Sequence, residues 1–440
     1  MLPPETAPAP EHNKQPWFTL PTVTKPKTAI ILGAGLSGCA MAEALARRGI
    51  SVQLIDRCDA ICQEASGNHQ GVLYAKLPTA PTLAGEFHLC GLEYTLRLLM
   101  IKGCMDGKIA SQCGVLQLAT SAKEVARQNT LIASEHYPHE VVSSVSAEQA
   151  SIIAGTDIQH QALYLPRAGW VQPKSFCDTL INHPYITLTL STTVISIAQQ
   201  SPTQPGDCSW SVTDQSDNQH SADILIVASA TQAKEFNLLS HLPIKPIRGQ
   251  VSVTPTASGM PVLKTVICGA GYISPSLDNR YSFGATFDLH DQSPQLRHVD
   301  HEANLTMLSN VVPDFANQLP PIDEWTGKVG YRCSTPDYLP IAGPAPIVHQ
   351  YMDHYAKLQH DRKWKFANSP APLHSGLYVN VGHGSKGLIT APLAAEYLAA
   401  SICGEPLPFS RKISYALHPA RFIIKSLVRS NNHNESQGVK

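Results

Sequence analysis

The residues whose spacing commits them to chemistry come early in the chain. Gly33, Gly35 and Gly38 spell G-x-G-x-x-G, with Ala34, Leu36 and Ser37 between them, inside TAIILGAGLSGCAMAEALARRG. The apolar run 29–32 reads as a buried parallel strand, and a helix opens at Leu36 and stops by Gly49. Between them the first glycine permits a tight turn, the second lets a diphosphate approach the backbone, and the third lets the helix pack close to the strand. Phosphate charge would then face free N–H groups at the positive end of the helix dipole. SVQLID supplies a second strand, and Asp56 at its end stands where an acid accepts hydrogen bonds from a ribose. Arg57 leaves room for a phosphorylated ribose, which Asp56 would repel. The glycine pattern alone is a weak sign. Strand, turn, helix, second strand and acid in that order predict a dinucleotide site.

A second turn, Gly382-His383-Gly384-Ser385-Lys386-Gly387-Leu388, repeats the spacing. Its helix runs to about Cys403, and GEPLPF follows with no apolar strand, so the ribose half of a dinucleotide fold is missing. The turn reads instead as a helix start whose N–H groups stabilise negative charge on a bound ring, or as a packed helix start and no more. One dinucleotide site without a second means that electrons enter from the substrate rather than from a nicotinamide. Ser66, Gly67, Asn68, Gln70 and Gly71 form a loop of small residues and amides after the second strand. Such a loop suits close approach to an aromatic cofactor; the residues alone describe an ordinary turn-rich loop equally well.

The elements that must hold these residues follow from pattern. A chain of 440 residues suits two or three domains at roughly 100–200 residues each. Its 43% hydrophobic and 15% charged content is that of a globular protein with a sizeable core. Residues 1–27, rich in Pro, read as a tail or linker whose one sticky spot is Pro16-Trp17-Phe18. Residues 28–100, 160–235 and 326–410 read as a discontinuous nucleotide-binding unit. Residues 101–159 and 236–325 read as a second unit, the latter stretch alternating strands and turns as an antiparallel sheet does. Residues 411–440 read as a basic helix and tail. The 11 cysteines include no C-x-x-C pair, which predicts free thiols and no metal. No apolar run approaches the ~18 residues of a membrane span, and the start has no signal-peptide pattern, so a cytoplasmic protein is expected.

Several blocks together resemble one family. ILGAGLSG (31–38), ASGNHQGVLY (65–74), GWVQP (169–173), PIRGQVS (246–252), RCSTPDYLPIAG (332–343) and GHGSKGLITAPLAAEYLA (382–399) are similar to the D-amino-acid oxidase superfamily. More narrowly, with PWF (16–18), they resemble the FAD-dependent oxidoreductase half of the MnmC family of bacterial tRNA-modifying proteins. The resemblance implies an α/β fold: a Rossmann-like FAD-binding domain of D-amino-acid oxidase type with an inserted antiparallel-sheet substrate domain. It implies FAD as cofactor, held by residues 33–38, Asp56, Arg57, the 66–71 loop and the 382–388 turn. It implies oxidation of 5-carboxymethylaminomethyl(-2-thio)uridine at the tRNA wobble position to the aminomethyl form, with release of glyoxylate. It also implies that Arg332 clamps the substrate carboxylate, the alternative being an ion pair with Asp337. Tyr272 is a candidate for the pocket wall, and Lys386 for a place beside the reduced ring. Arg248 is expected to anchor a turn between domains, and His383 to serve only the backbone. The family carries a methyltransferase half before this one; here the sequence starts at the linker, so a separate methyltransferase is expected to act on the product. Two rivals stand beside this reading: an FAD-dependent oxidase of glycine or sarcosine, and a non-catalytic flavin-binding RNA or assembly module.

A net charge of −1 excludes a generally basic nucleic-acid binder, so RNA contact needs a local patch. The last 30 residues carry six Lys or Arg against the single acid Glu435. Arg421, Lys425 and Arg429 fall at i, i+4 and i+8, which predicts one cationic helix face for RNA. KLQHDRKWKF (357–366) is a second basic cluster, with Trp364 available for stacking.

Overall fold

A computed structural model of the chain describes residues 15–18, 26–200, 209–366 and 371–429. The rest of the expected tail 1–27 and the basic residue Lys440 lie outside the described residues.

Five apolar segments, TAIIL, SVQLI, ITLT, ILIV and LHSGLYVNV, form strands of one six-stranded sheet. Its order is 341–346, 373–381, 224–227, 28–32, 51–55, 186–189. All neighbours are parallel except Ile341–Pro346, which runs antiparallel to Leu373–Val381. The opening strand Thr28–Leu32 is central, so its C-terminal end opens into the middle of the molecule. The helices Leu36–Ala46, Pro173–Ile181 and Gly387–Cys403 bury small and aliphatic side chains against one face. On the other face lies a three-stranded sheet, Val194–Gln199, Trp210–Asp214 and Gln219–Ala222, with Trp210 fully buried between them. First, middle and last segments of the chain thus share one sheet.

The second unit is an eight-stranded sheet ordered 326–334, 245–255, 280–284, 272–273, 266–268, 115–118, 162–165, 143–145. Its core joins Phe283, Tyr281, Phe315 and Trp325, whose rings meet edge to face. Two boundaries expected from sequence move. Thr326–Ser334, expected in the nucleotide-binding unit, pairs along its length with the strand Lys245–Pro255, from Lys245↔Ser334 to Val253↔Thr326. Ala162–Leu165, expected in the same unit, pairs instead with Val115–Leu118. An apolar segment announces a strand; only long-range pairing says which sheet receives it.

The C-terminal helix Arg421–Arg429 buries Ile423, Ile424 and Leu427 against Tyr351, Tyr355 and Leu358. Trp17 completes this cluster, and the Tyr351 hydroxyl donates to the Trp17 carbonyl at 2.8 Å. Pro16-Trp17-Phe18 is therefore seated on the C-terminal helix. The expected cationic face does not form as predicted. Arg421 donates to both carboxylate oxygens of Asp337 at 3.0 Å and to the Leu339 carbonyl at 2.8 Å, with its side chain only 9% exposed. It is a structural cation; Lys425 and Arg429 alone of the three face solvent. Equal spacing fixed the angular positions but not what packs against the first turn. No described helix is long and apolar enough to cross a membrane, and no metal-binding cluster of His, Cys, Asp or Glu occurs among the described residues.

Arg421→Ala should cost roughly 2–3 kcal/mol, somewhat less than a fully buried pair because Asp337 is partly solvated. Lys425→Ala and Arg429→Ala should stay within about 0.5 kcal/mol of the parent. Urea unfolding of the three variants measures this.

Candidate active site

Where the two sheets meet, a cavity of about 520 Å³ opens at the C-terminal end of the central strand. That is the usual place and size for a ligand in an α/β sheet. The glycine turn forms one wall. Gly33 has φ +103°, and a Cβ on Gly38 would lie 1.8 Å from the Gly33 carbonyl oxygen, so the helix starts almost on top of the turn. The helix has no side-chain cap from residue 35, and its first N–H, that of Leu36, is taken by Ser66 Oγ at 3.0 Å. The rest of the first turn offers N–H groups that no intrahelical carbonyl can reach. Asp56 ends the second strand and accepts from Ala34 N at 2.5 Å and Cys58 N at 2.8 Å, which fixes its carboxylate at the rim. Arg57 pairs with Glu64 at 2.5 Å.

Sequence-predicted residues divide cleanly. Gly33, Gly35, Leu36, Ser37, Asp56, Arg57, Ser66, Asn68, Gly71 and the whole turn 382–388 line the cavity, with Tyr272 and Arg332. Ala34, Gly38, Gly67 and Gln70 do not. Ala34 and Gly38 build the turn from behind, and Gly67 has no room for a Cβ beside the Cys62 carbonyl and Lys328. Gln70 is fully buried and donates to the Pro275 carbonyl at 3.1 Å, tying the loop to the second unit. Arg248 is likewise internal, bonding Asp300 and the carbonyls of Ser293 and Gln295 at 2.8 Å each. Sequence reasoning missed Tyr74, Thr192, Ala228, Ser229, Cys268 and Asn380, which also line the cavity. Ala228 and Ser229 had a signal: small residues directly after the buried strand ILIV. The others, on strands and loops far apart in the chain, had none.

Three side chains give the far end its electrostatics. Lys386 places Nζ over the Tyr74 ring, 3.3 Å from its centroid, and has no carboxylate partner within ion-pair distance among the described residues. Burial pushes its ammonium down to about 7, Cys268 opposing. Arg332 reaches across the neighbouring strand: Nη1 donates to the Thr286 carbonyl at 3.2 Å, and the guanidinium lies 5.6 Å from the Phe287 ring centre. That crossing is possible only over Gly249, where a Cβ would lie 2.2 Å from Nη1 and 2.6 Å from the Thr286 oxygen. Asp337, the alternative partner for Arg332, is committed to Arg421. Among the described residues, no carboxylate sits within ion-pair distance of Arg332. Burial pushes the Tyr272 hydroxyl up to about 12, the Arg332 charge opposing, so it stays protonated at neutral pH. His383 Nδ1 lies 3.0 Å from Thr390 Oγ1, and burial takes the ring down to about 4, so it is uncharged at pH 7.

A strand–glycine turn–helix–strand with an acid at its end, opening on a cavity roofed by an antiparallel sheet, defines a dinucleotide-dependent enzyme of two units. The sequence model of the family described as "FAD dependent oxidoreductase" matches residues 28–401, and the chain belongs to that family. It is 39% identical over 97% of its length to the tRNA 5-methylaminomethyl-2-thiouridine biosynthesis bifunctional protein MnmC of Pseudomonas fluorescens, and 40% identical over 91% to that of Methylobacillus flagellatus. It spans 63% and 60% of those relatives. In fold it is similar to glycine oxidase from Geobacillus kaustophilus (TM-score 0.68, 20% identity, 90% of this chain and 98% of that one). The same holds for L-proline dehydrogenase from P. horikoshii (TM-score 0.68, 16% identity, 92% and 98%).

The cavity suits FAD by its own chemistry. Its walls are mostly apolar, two helix starts without a bond from their own N-cap side chains face it, and Ser229 Oγ and both polar atoms of the Asn380 amide are buried in its lining without a partner among the described residues. Buried polar atoms are rarely left unbonded unless a ligand or water completes them.

Lys386 gives the flavin-free protein a signed pH dependence. Its folded pKa, about 7, lies below the ordinary 10.5, so between those values the unfolded chain holds a proton that the folded chain lacks. The cost of burying it is full below pH 7 and fades as pH rises. Urea unfolding should show a gain of about 2 kcal/mol from pH 7 to pH 9 that is absent in Lys386→Met.

Proposed function

We propose that this chain oxidises 5-carboxymethylaminomethyl(-2-thio)uridine at the wobble position of tRNA, leaving the aminomethyl nucleoside and releasing glyoxylate. The observation that carries the reading is Arg332, a guanidinium set in the cavity wall with no carboxylate within ion-pair distance among the described residues. Such a group is an anion receptor, and a carboxylate satisfies it bidentately. The names of the 39–40% identical relatives support the substrate.

FAD, when bound, supplies the acceptor for two electrons. Gly33, Gly35, Leu36 and Ser37 with Asp56 would hold its diphosphate and ribose, and Ser66, Asn68, Gly71 and the 382–388 turn its remaining surface. The substrate is a secondary amine, uridine–CH2–NH–CH2–COO⁻. Arg332 fixes its carboxylate and so places the glycine carbon at one point in the cavity. The Tyr272 hydroxyl, protonated at neutral pH, can donate beside it. Lys386 Nζ, near half-protonated at pH 7, can hold or release a proton at the cavity floor. Loss of two electrons and two protons from the N–CH2 bond leaves a substrate imine; water adds to that carbon, and the C–N bond breaks to the primary amine and glyoxylate.

Exposed Lys425 and Arg429, with Lys357 stacked 4.2 Å over the half-exposed Trp364, are proposed to meet the tRNA backbone. A substrate of that kind places the enzyme in the cytoplasm. A separate methyltransferase that consumes the aminomethyl product is proposed as its functional partner.

The test is incubation of flavin-loaded enzyme with tRNA bearing the carboxymethylaminomethyl group, followed by nucleoside mass analysis. Conversion to the aminomethyl nucleoside is expected; an unchanged nucleoside overturns the assignment. Arg332→Ala and Gly249→Ala should both keep the yellow cofactor while turnover falls on the order of a hundredfold, since each displaces the carboxylate anchor. Full activity in Gly249→Ala would show that the guanidinium is not that anchor.

A further inference from the structure

We propose that Phe287 is the stacking platform for the substrate's pyrimidine ring, and so the residue that favours a base-linked amine over a free amino acid. The inference rests on the function proposed above and names how that same site recognises the base.

Phe287 is 60% exposed, on the segment between the strand Arg280–Gly284 and the helix His298–Ser309. A single exposed aromatic is unremarkable on a protein surface. What marks this one is how firmly it is held there. Immediately before it, Thr286 N donates to the Gln250 carbonyl at 3.2 Å, and Gln250 N donates to Thr286 Oγ1 at 2.8 Å. Immediately after it, Asp288 and Arg248 exchange both backbone hydrogen bonds at 2.9 Å. Farther along, the buried Arg248 side chain grips the carbonyls of Ser293 and Gln295 and the carboxylate of Asp300. The ring cannot retreat by loop motion, so its exposure is built in.

Its neighbour is the carboxylate anchor. The Arg332 guanidinium lies 5.6 Å from the Phe287 ring centre. In the proposed substrate, four bonds separate the carboxylate carbon from the pyrimidine ring, roughly 5 Å end to end when extended. A carboxylate held by Arg332 therefore leaves the ring within reach of Phe287. A π face accepts a flat base whatever its hydrogen-bonding edge, and a free amino acid presents nothing to it. Apolar Leu289, also 60% exposed, continues the same edge.

The experiment uses flavin-loaded enzyme and an anticodon stem-loop RNA carrying the modified uridine, with KM and kcat from nucleoside mass analysis. N-methylglycine binding, read from the absorption of the bound flavin, is the second arm. Phe287→Ala should raise the RNA KM about tenfold or more, with a smaller effect on kcat. Phe287→Trp should restore it, Phe287→Leu should not, and N-methylglycine affinity should change much less than the RNA KM. An unchanged RNA KM, or rescue by Leu, overturns the stacking role. Equal weakening of both ligands also overturns it, since Phe287 would then act only by supporting Arg332. A yellow wild-type enzyme that leaves the RNA untouched overturns the substrate reading itself, and this one with it.

Discussion

A guanidinium drawn into the cavity wall, with no carboxylate within ion-pair distance among the described residues, is the constraint around which the neighbouring strands are arranged. Arg332 stands on the edge strand of the eight-stranded sheet, opposite Ile247, and its side chain crosses the next strand rather than turning to solvent. The crossing needs a residue without a Cβ at 249, a carbonyl at 286 to accept a hydrogen bond, and a ring at 287 to face the charge. The one acid near it in sequence, Asp337, is bound to Arg421 from the C-terminal helix. In the proposed function a ligand's carboxylate compensates this charge, which is how a binding site differs from a salt bridge.

The same logic of incomplete satisfaction recurs around the cavity. Two helices begin at its wall without a bond from their own N-cap side chains, Asn380 and Ser229 have polar atoms with no partner among the described residues, and burial holds Lys386 near half-protonation at pH 7. Each is a modest penalty in the ligand-free protein. Together they suit a ligand with anionic, ring and polar parts, which is what FAD provides. Stability comes from elsewhere: the aliphatic core beneath the parallel sheet, and the aromatic cluster of Phe283, Tyr281, Phe315 and Trp325 beneath the antiparallel one.

The C-terminal helix has a part in this beyond its charges. Its apolar side seats Trp17 from the start of the chain, and its first residue secures the turn that follows Arg332. Lys425 and Arg429 face solvent, whereas Arg421 is held by Asp337. A change at Arg421 thus reaches the site through the 335–339 turn, while changes at Lys425 and Arg429 do not.

Sequence by itself determined the nucleotide-binding half: two strands, the glycine turn, the helix and Asp56 are contiguous, and local sterics dictate such a motif wherever it occurs. It determined equally that the second glycine turn lacks a following strand, and the family resemblance pointed to Arg332, Tyr272 and Lys386. Tertiary structure alone decided the rest. Whether 326–334 joins one sheet or the other depends on the pairing partner at 245–255, some eighty residues away, which no local pattern encodes. Whether Arg421 faces RNA or Asp337 depends on what packs beside it, and helical spacing sets an angle, not a neighbour. That Gln70 points to Pro275, and that Gly249 and Phe287 flank Arg332, follow from segments brought together by the fold. Conformation that a residue imposes on its own backbone is legible in one dimension; surroundings supplied by distant chain are not.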